Sequence, residues 1–164
     1  MCTVSLLTAC TSGAASPRPA KPAIDRTVTP HRATSGHTLG APGCRPASPV
    51  TVFNGFLPEV EGTGHRATLW GLLMFPHPLP ARVGDQEKIV WRVSGLGPLT
   101  LVAIAPDGQH VRLSWGPGFH TGSNFDKPGD EWGAGYVFTH PGCWDLRAIR
   151  GRASADVWLK VIKR

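Results

Sequence analysis

From about Val50 to the C-terminus, apolar and polar residues alternate in short runs separated by glycine and proline. Val50 to Phe53 predicts a short strand. Arg66 to Phe75 is mostly apolar and predicts a strand through the middle of the structure, ended by Pro76, Pro78 and Pro80, because proline has no N–H to give a ladder. His77, between two of these prolines, reads as an exposed loop residue. In Glu87 to Val93, Ile89, Trp91 and Val93 share one face and Lys88, Val90 and Arg92 the other, which describes a half-buried strand. Leu99 to Ala105 and Gln109 to Trp115 flank a Pro106-Asp107-Gly108 turn and predict a hairpin whose second arm turns Val111, Leu113 and Trp115 inward. Gly116 to Gly135 is too rich in glycine and proline for a regular element and predicts a long loop. Two further runs follow, one with Tyr136 and Phe138 on a face, the other with Trp144, Leu146 and Ala148. The Pro141-Gly142 turn between them, which carries Cys143, predicts that they fold back on each other as a hairpin. Ala155 to Ile162 alternates again. No run has a period of 3.6, so the expectation is an all-β, two-sheet antiparallel sandwich of about seven or eight strands.

Composition agrees. Only 17% of residues are charged, and 20 are glycine and 16 proline, the make-up of a turn-rich chain. The net charge of +6 is unevenly placed. Arg18, Lys21, Arg26, Arg32 and Arg45 against Asp25 leave +4 ahead of residue 49 and only +2 in the remainder. With no Lys/Arg cluster interleaved with aromatics, a nucleic-acid partner is not expected. Of the 4 cysteines, Cys2 and Cys10 lie in an apolar N-terminus and Cys44 and Cys143 stand alone. No CxxC spacing occurs. A single Cys44–Cys143 disulfide is the economical reading, and it implies an oxidising compartment.

Residues 11–48 are rich in Ala, Ser, Thr, Pro and Gly, a composition that cannot bury enough apolar surface to fold and so predicts a disordered tether. Ahead of it, Val4 to Cys10 is a short apolar run ending Leu7-Thr8-Ala9-Cys10. That tetrapeptide resembles the bacterial lipobox, in which the cysteine is lipidated and becomes the mature N-terminus. The resemblance implies a signal and lipobox remnant over 1–10, a lipid anchor on Cys10 and a membrane partner on the extracytoplasmic face of the cell. The run is much shorter than a transmembrane helix. Only nine residues precede Cys10 and none is basic, so either translation starts upstream of Met1 or the match is accidental. The domain is placed at 49–164.

The phrase Tyr136-Val137-Phe138-Thr139-His140-Pro141-Gly142-Cys143-Trp144-Asp145-Leu146 resembles the penultimate hairpin of immunoglobulin-like domains. More narrowly, SNFDKPGDEWGAGYVFTHPGCWDL resembles a group of uncharacterised bacterial secreted proteins and lipoproteins ending in a PGCW hairpin, over roughly Gly116 to the C-terminus. The resemblance implies an immunoglobulin-like sandwich and supplies no catalytic residues to carry over.

Enzyme motifs built on G-x-S-x-G, a P-loop or H-E-x-x-H are missing from the sequence. The long loop is the candidate binding region, through His120, Asn124, Asp126, Asp130, Glu131 and Trp132. Its carboxylates Asp126, Asp130 and Glu131 with His120 have the chemistry of an acid/base pair for an envelope hydrolase, or of a hard-cation site. The plainer reading makes Asp126 and Asp130 turn formers beside Lys127-Pro128-Gly129. Blue copper needs a Cys, two His and a Met at one end of a sandwich. Cys143 has no His or Met downstream, and His31 and His37 are in the tether, so neither metal nor cofactor is expected. Among six tryptophans, Trp91, Trp115 and Trp144 read as core; Trp132 and Trp158 are the candidates for exposure and for stacking on sugar. The functional expectation is a lipid-anchored binding or accessory module, with an envelope protein or wall glycan as partner. The alternatives are the hydrolase and the carbohydrate-binding module.

Overall fold

The computed structural model describes Cys44 and residues 48–164. The lipobox with Cys10, and the tether apart from Cys44 and Ser48, His31 and His37 included, lie outside the described residues. Twelve strands follow in order: β1 (Val50–Phe53), β2 (Leu57–Glu61), β3 (Thr63–His65), β4 (Leu69–Met74), β5 (Ala81–Arg82), β6 (Gln86–Val93), β7 (Thr100–Ile104), β8 (His110–Val111), β9 (Trp115–His120), β10 (Asp130–Val137), β11 (Gly142–Arg150) and β12 (Ala153–Ile162). Among the described residues there is no helix. One sheet has the order β1-β2-β4-β6-β10-β9; the other has β3-β12-β11-β7-β8, with β5 running parallel to β12. The two pack face to face as a β-sandwich, and the strands number twelve where seven or eight were expected because several are only two or three residues long.

The period-two pattern explains the layers. Ile89, Trp91 and Val93 of β6 and Ala134 and Tyr136 of β10 face inward, where they meet Trp144, Leu146 and Ala148 of β11 and Val157, Leu159 and Val161 of β12 in one core. One polar pair lies within this core: Trp91 Nε1 donates to the buried Tyr136 hydroxyl at 2.9 Å. Gly71 makes room for an indole, since a Cβ there would lie 2.7 Å from Trp91 Cζ3.

Three expectations are corrected. Tyr136–Val137 and Gly142–Arg150 are not the arms of a hairpin: β10 belongs to the first sheet and β11 to the second. The Pro141-Gly142 turn is an arch between layers. Phe138 meets Trp144 edge to face at 5.0 Å across it, and Trp144 Nε1 donates to His140 O at 2.9 Å. Gly142 has φ +135°, and a Cβ on it would come within 2.6 Å of Pro106 Cγ. Second, the arm after Pro106-Asp107-Gly108 is only His110–Val111; the chain then crosses to the first sheet as β9, so Trp115 is not core. Third, most of the predicted loop Gly116–Gly135 is β9 and β10, leaving 121–129 as the connection. Pro117 is accommodated because β9 is an edge strand.

Cys44 and Cys143 form the expected disulfide, with Cα atoms 4.9 Å apart and a sequence separation of 99. Ser48 continues the attachment: its N–H donates to Trp158 O at 3.2 Å, and its hydroxyl accepts from Trp158 N at 2.9 Å. It thereby fills the edge of β12 between the segments paired with β3 and β5.

Candidate functional site

Alternation along β10 separates the candidate residues before any tertiary contact is considered. Asp130, Trp132 and Ala134 project inward in register with Val93, Trp91 and Ile89, while Glu131 projects outward beside Arg92. Adjacent carboxylates on a strand point to opposite faces. Asp126, Asp130 and Glu131 therefore do not converge.

Glu131 is the centre of the outward cluster, although its side chain is only 3% exposed. Arg92 Nε lies 3.2 Å from Oε2, close enough for an ion pair but not aligned as a hydrogen bond. His120 Nδ1, on the neighbouring β9, is 2.8 Å from Oε1. The Ser123 hydroxyl donates to Oε2 and accepts from Phe125 N at 3.1 Å, closing a local turn. Arg92 Nη1 donates to Gly129 O at 3.0 Å and ties down the far end of the loop.

The loop continues as a cover. Phe125 is fully buried and meets Phe53 edge to face at 5.3 Å. Lys127 Nζ lies 4.1 Å from the centre of the Trp70 ring and 2.8 Å from Glu59 Oε1, a second buried carboxylate that also accepts from the Thr51 hydroxyl at 3.1 Å. Residues 121–129 are thus pinned across β10, β6, β4, β2 and β1 by two carboxylates and a phenylalanine between them. Gly129 allows this course: its φ is +98°, and a Cβ there would lie 2.3 Å from the Val93 carbonyl.

The geometry limits the chemistry. In a serine–histidine–acid relay the histidine stands between hydroxyl and carboxylate. Here Ser123 and His120 each contact Glu131 directly, through different oxygens, so the histidine does not lie in the relay position. Of the six loop candidates, His120 and Glu131 come together. Asn124 and Asp126 are exposed on the cover, and neither Asp126 nor Asp130 forms the local side-chain bond to backbone expected of a turn former. Asp130 instead accepts at 2.8 Å from Arg150, whose buried guanidinium also donates to Gly97 O and Val93 O. Trp132 is half-buried, edge to face with Phe119 at 5.0 Å and 5.7 Å beneath the Arg150 guanidinium. Trp158 is on β12 in the other sheet, so the two indoles do not form one platform. Among the described residues no three His, Cys, Asp or Glu side chains gather as a metal-binding set.

No family model, curated protein or solved structure matches this chain. Sequence reasoning missed Arg92, Ser123, Lys127, Glu59 and Arg150. For Arg92 the signal was parity, since it lies on the polar face of β6 and the same face of β10 carries Glu131.

Proposed function

We propose that this chain is a lipid-anchored extracytoplasmic binding or accessory module of the cell envelope. The observation that carries the reading is the Cys44–Cys143 disulfide, which suits an oxidising compartment and joins the segment leading to β1 to the arch between the sheets. The lipobox-like Leu7-Thr8-Ala9-Cys10 supplies the anchor in this reading, and the Pro/Ala/Ser-rich 11–48 supplies the reach. Its likeness to bacterial secreted proteins and lipoproteins ending in a PGCW turn points the same way. Glu131 is engaged in holding the cover to the sheet, Asp130 is paired with Arg150 and Asp126 stands apart from both, which favours a rigid scaffold with contact surfaces over a hydrolase. The test is metabolic labelling with a palmitate analogue in a bacterial host, using the gene with its natural upstream region, together with protease access on intact cells. Label that disappears in Cys10→Ala, on a protein accessible from outside, supports the module; an unlabelled cytoplasmic protein with free Cys44 and Cys143 thiols overturns it.

A further inference from the structure

The outer face of the first sheet is half covered and half open. The loop closes the half bearing Glu131, Arg92 and Trp70, while at the other end Gln86, Lys88 and Met74 face water. On the open half Trp115 lies across β10. A Cβ on Gly133 would sit 3.3 Å from both Cη2 and Cζ3 of the indole, and one on Gly135 would sit 2.0 Å from Nε1 and 2.3 Å from Cδ1. These atom pairs are at opposite ends of the ring and include both of its long edges, so a face, not an edge, rests on the strand. Two glycines on one side of a strand leave a bare strip of backbone, and the indole covers it. The residue nevertheless remains 42% exposed, which leaves the opposite ring face open to solvent. Its position is braced: Ser114 N donates to Gly135 O at 2.9 Å, and Gln86 Nε2 donates to the Ser114 hydroxyl at 3.2 Å.

We propose that this half-face is a glycan-binding platform, with Trp115 stacking on the C–H face of a pyranose ring and Lys88, Gln86 and Ser114 hydrogen-bonding its hydroxyls. The proposal rests on the binding-module reading and names its ligand class. A pyranose has an apolar C–H face and a hydroxylated rim; a flat indole bordered by polar side chains is its complement. The ring is already immobilised, so little side-chain entropy is lost on binding. Lys88 forms no ion pair among the described residues and is free to donate. The exposed apolar surface here is Trp115 and Met74, interrupted by polar groups, whereas a stable protein interface needs about 800 Å² from each partner.

The experiment uses the full chain with its disulfide intact. Titration calorimetry with chitotetraose and cellotetraose, and co-sedimentation with insoluble peptidoglycan, read binding, and urea midpoints verify folding of each variant. At least one glycan should bind, and Trp115→Ala should weaken it by about tenfold or more. Because that variant also uncovers Gly133 and Gly135, the double variant Gln86→Ala/Lys88→Ala provides a second reading and should weaken binding several-fold. Phe56→Ala, an exposed aromatic in the turn between β1 and β2, should bind as the parent does. No binding of any of the three glycans at millimolar sugar, or binding unchanged in both altered platforms, overturns the proposal. A lipidated, externally accessible protein that binds none of them overturns the platform alone; a glycan-binding protein without label overturns the anchor alone.

Discussion

Glu87 projects from β6 in phase with Ile89 and Trp91 and is 1% exposed, with one carboxylate oxygen lacking a partner. Burial, and after it the charge of Asp85, push its pKa from 4.5 up to about 7. Asp145 is likewise pushed up to about 6, chiefly by burial and then by Asp156, with Arg147 opposing. Both folded-state values lie above the unfolded ones, so the folded protein holds protons that the unfolded chain releases. The stability that goes with the neutral forms is fully present below about pH 4 and is lost as pH rises through about 6 to 7. Glu87→Gln should therefore match the parent in urea unfolding at pH 4 and exceed it at pH 8 by on the order of 2–3 kcal/mol. Equal stabilities at both pH values would show that the carboxylate is solvated. The inward phase of Glu87 is legible in the alternation of Glu87 to Val93, but its burial is not, because that depends on what closes the end of the sandwich. Glu131 poses the converse case: its outward phase predicts a wet side chain, and the adjoining loop 121–129 folds back over the sheet and buries it.

At the scale of elements, the loop 121–129 behaves as a cover held at three points, namely Ser123 on Glu131, Phe125 against Phe53, and Lys127 on Glu59. Phe125 is the apolar anchor of the three. Phe125→Ala should remove about 3 kcal/mol of local stability. Hydrogen exchange should then lose protection at 121–129 while β6, β10 and β11 keep theirs; uniform loss across all strands would mean that the cover is part of the global core. The glycine and proline content of Gly116 to Gly135 reads as loop by local propensity. Pairing overrides it, since β9 is an edge strand that tolerates Pro117, and Gly133 and Gly135 give up side chains to a tryptophan from the neighbouring strand.

For the whole molecule, the disulfide is the longest covalent constraint, spanning 99 residues. Closing a loop of that size lowers the entropy of the unfolded chain by an amount equivalent to about 4.7 kcal/mol in the chain-entropy model. Cys44→Ser/Cys143→Ser should therefore unfold at a lower temperature and a lower urea midpoint, with a loss of about 2–5 kcal/mol. A variant as stable as the parent would show that Ser48 and its bonds to Trp158 suffice to hold the segment before β1. The pairing was foreseeable from two solitary cysteines outside the apolar N-terminus. That Cys143 sits on an arch between layers was not, because a proline-glycine turn between two strand-like runs has the same local sequence whether the strands pair side by side or face each other across a core.

Alternation, turn residues and the absence of helical periodicity were enough to determine an all-β sandwich, the inward positions of Trp91, Trp144, Leu146 and Val157, and the cysteine pair. These follow from short-range rules: which side of a strand a residue occupies, where the backbone can reverse, and which thiols lack a nearer partner. The assignment of strands to sheets, the inter-sheet arch, the burial of Glu131 beneath its loop and the placement of Trp115 on two glycines were decided by tertiary structure. Each depends on which segment comes to lie against a given face. Hydrophobic patterning supplies the face but leaves its partner open, and the partner is selected only when the strands compete for one shared core.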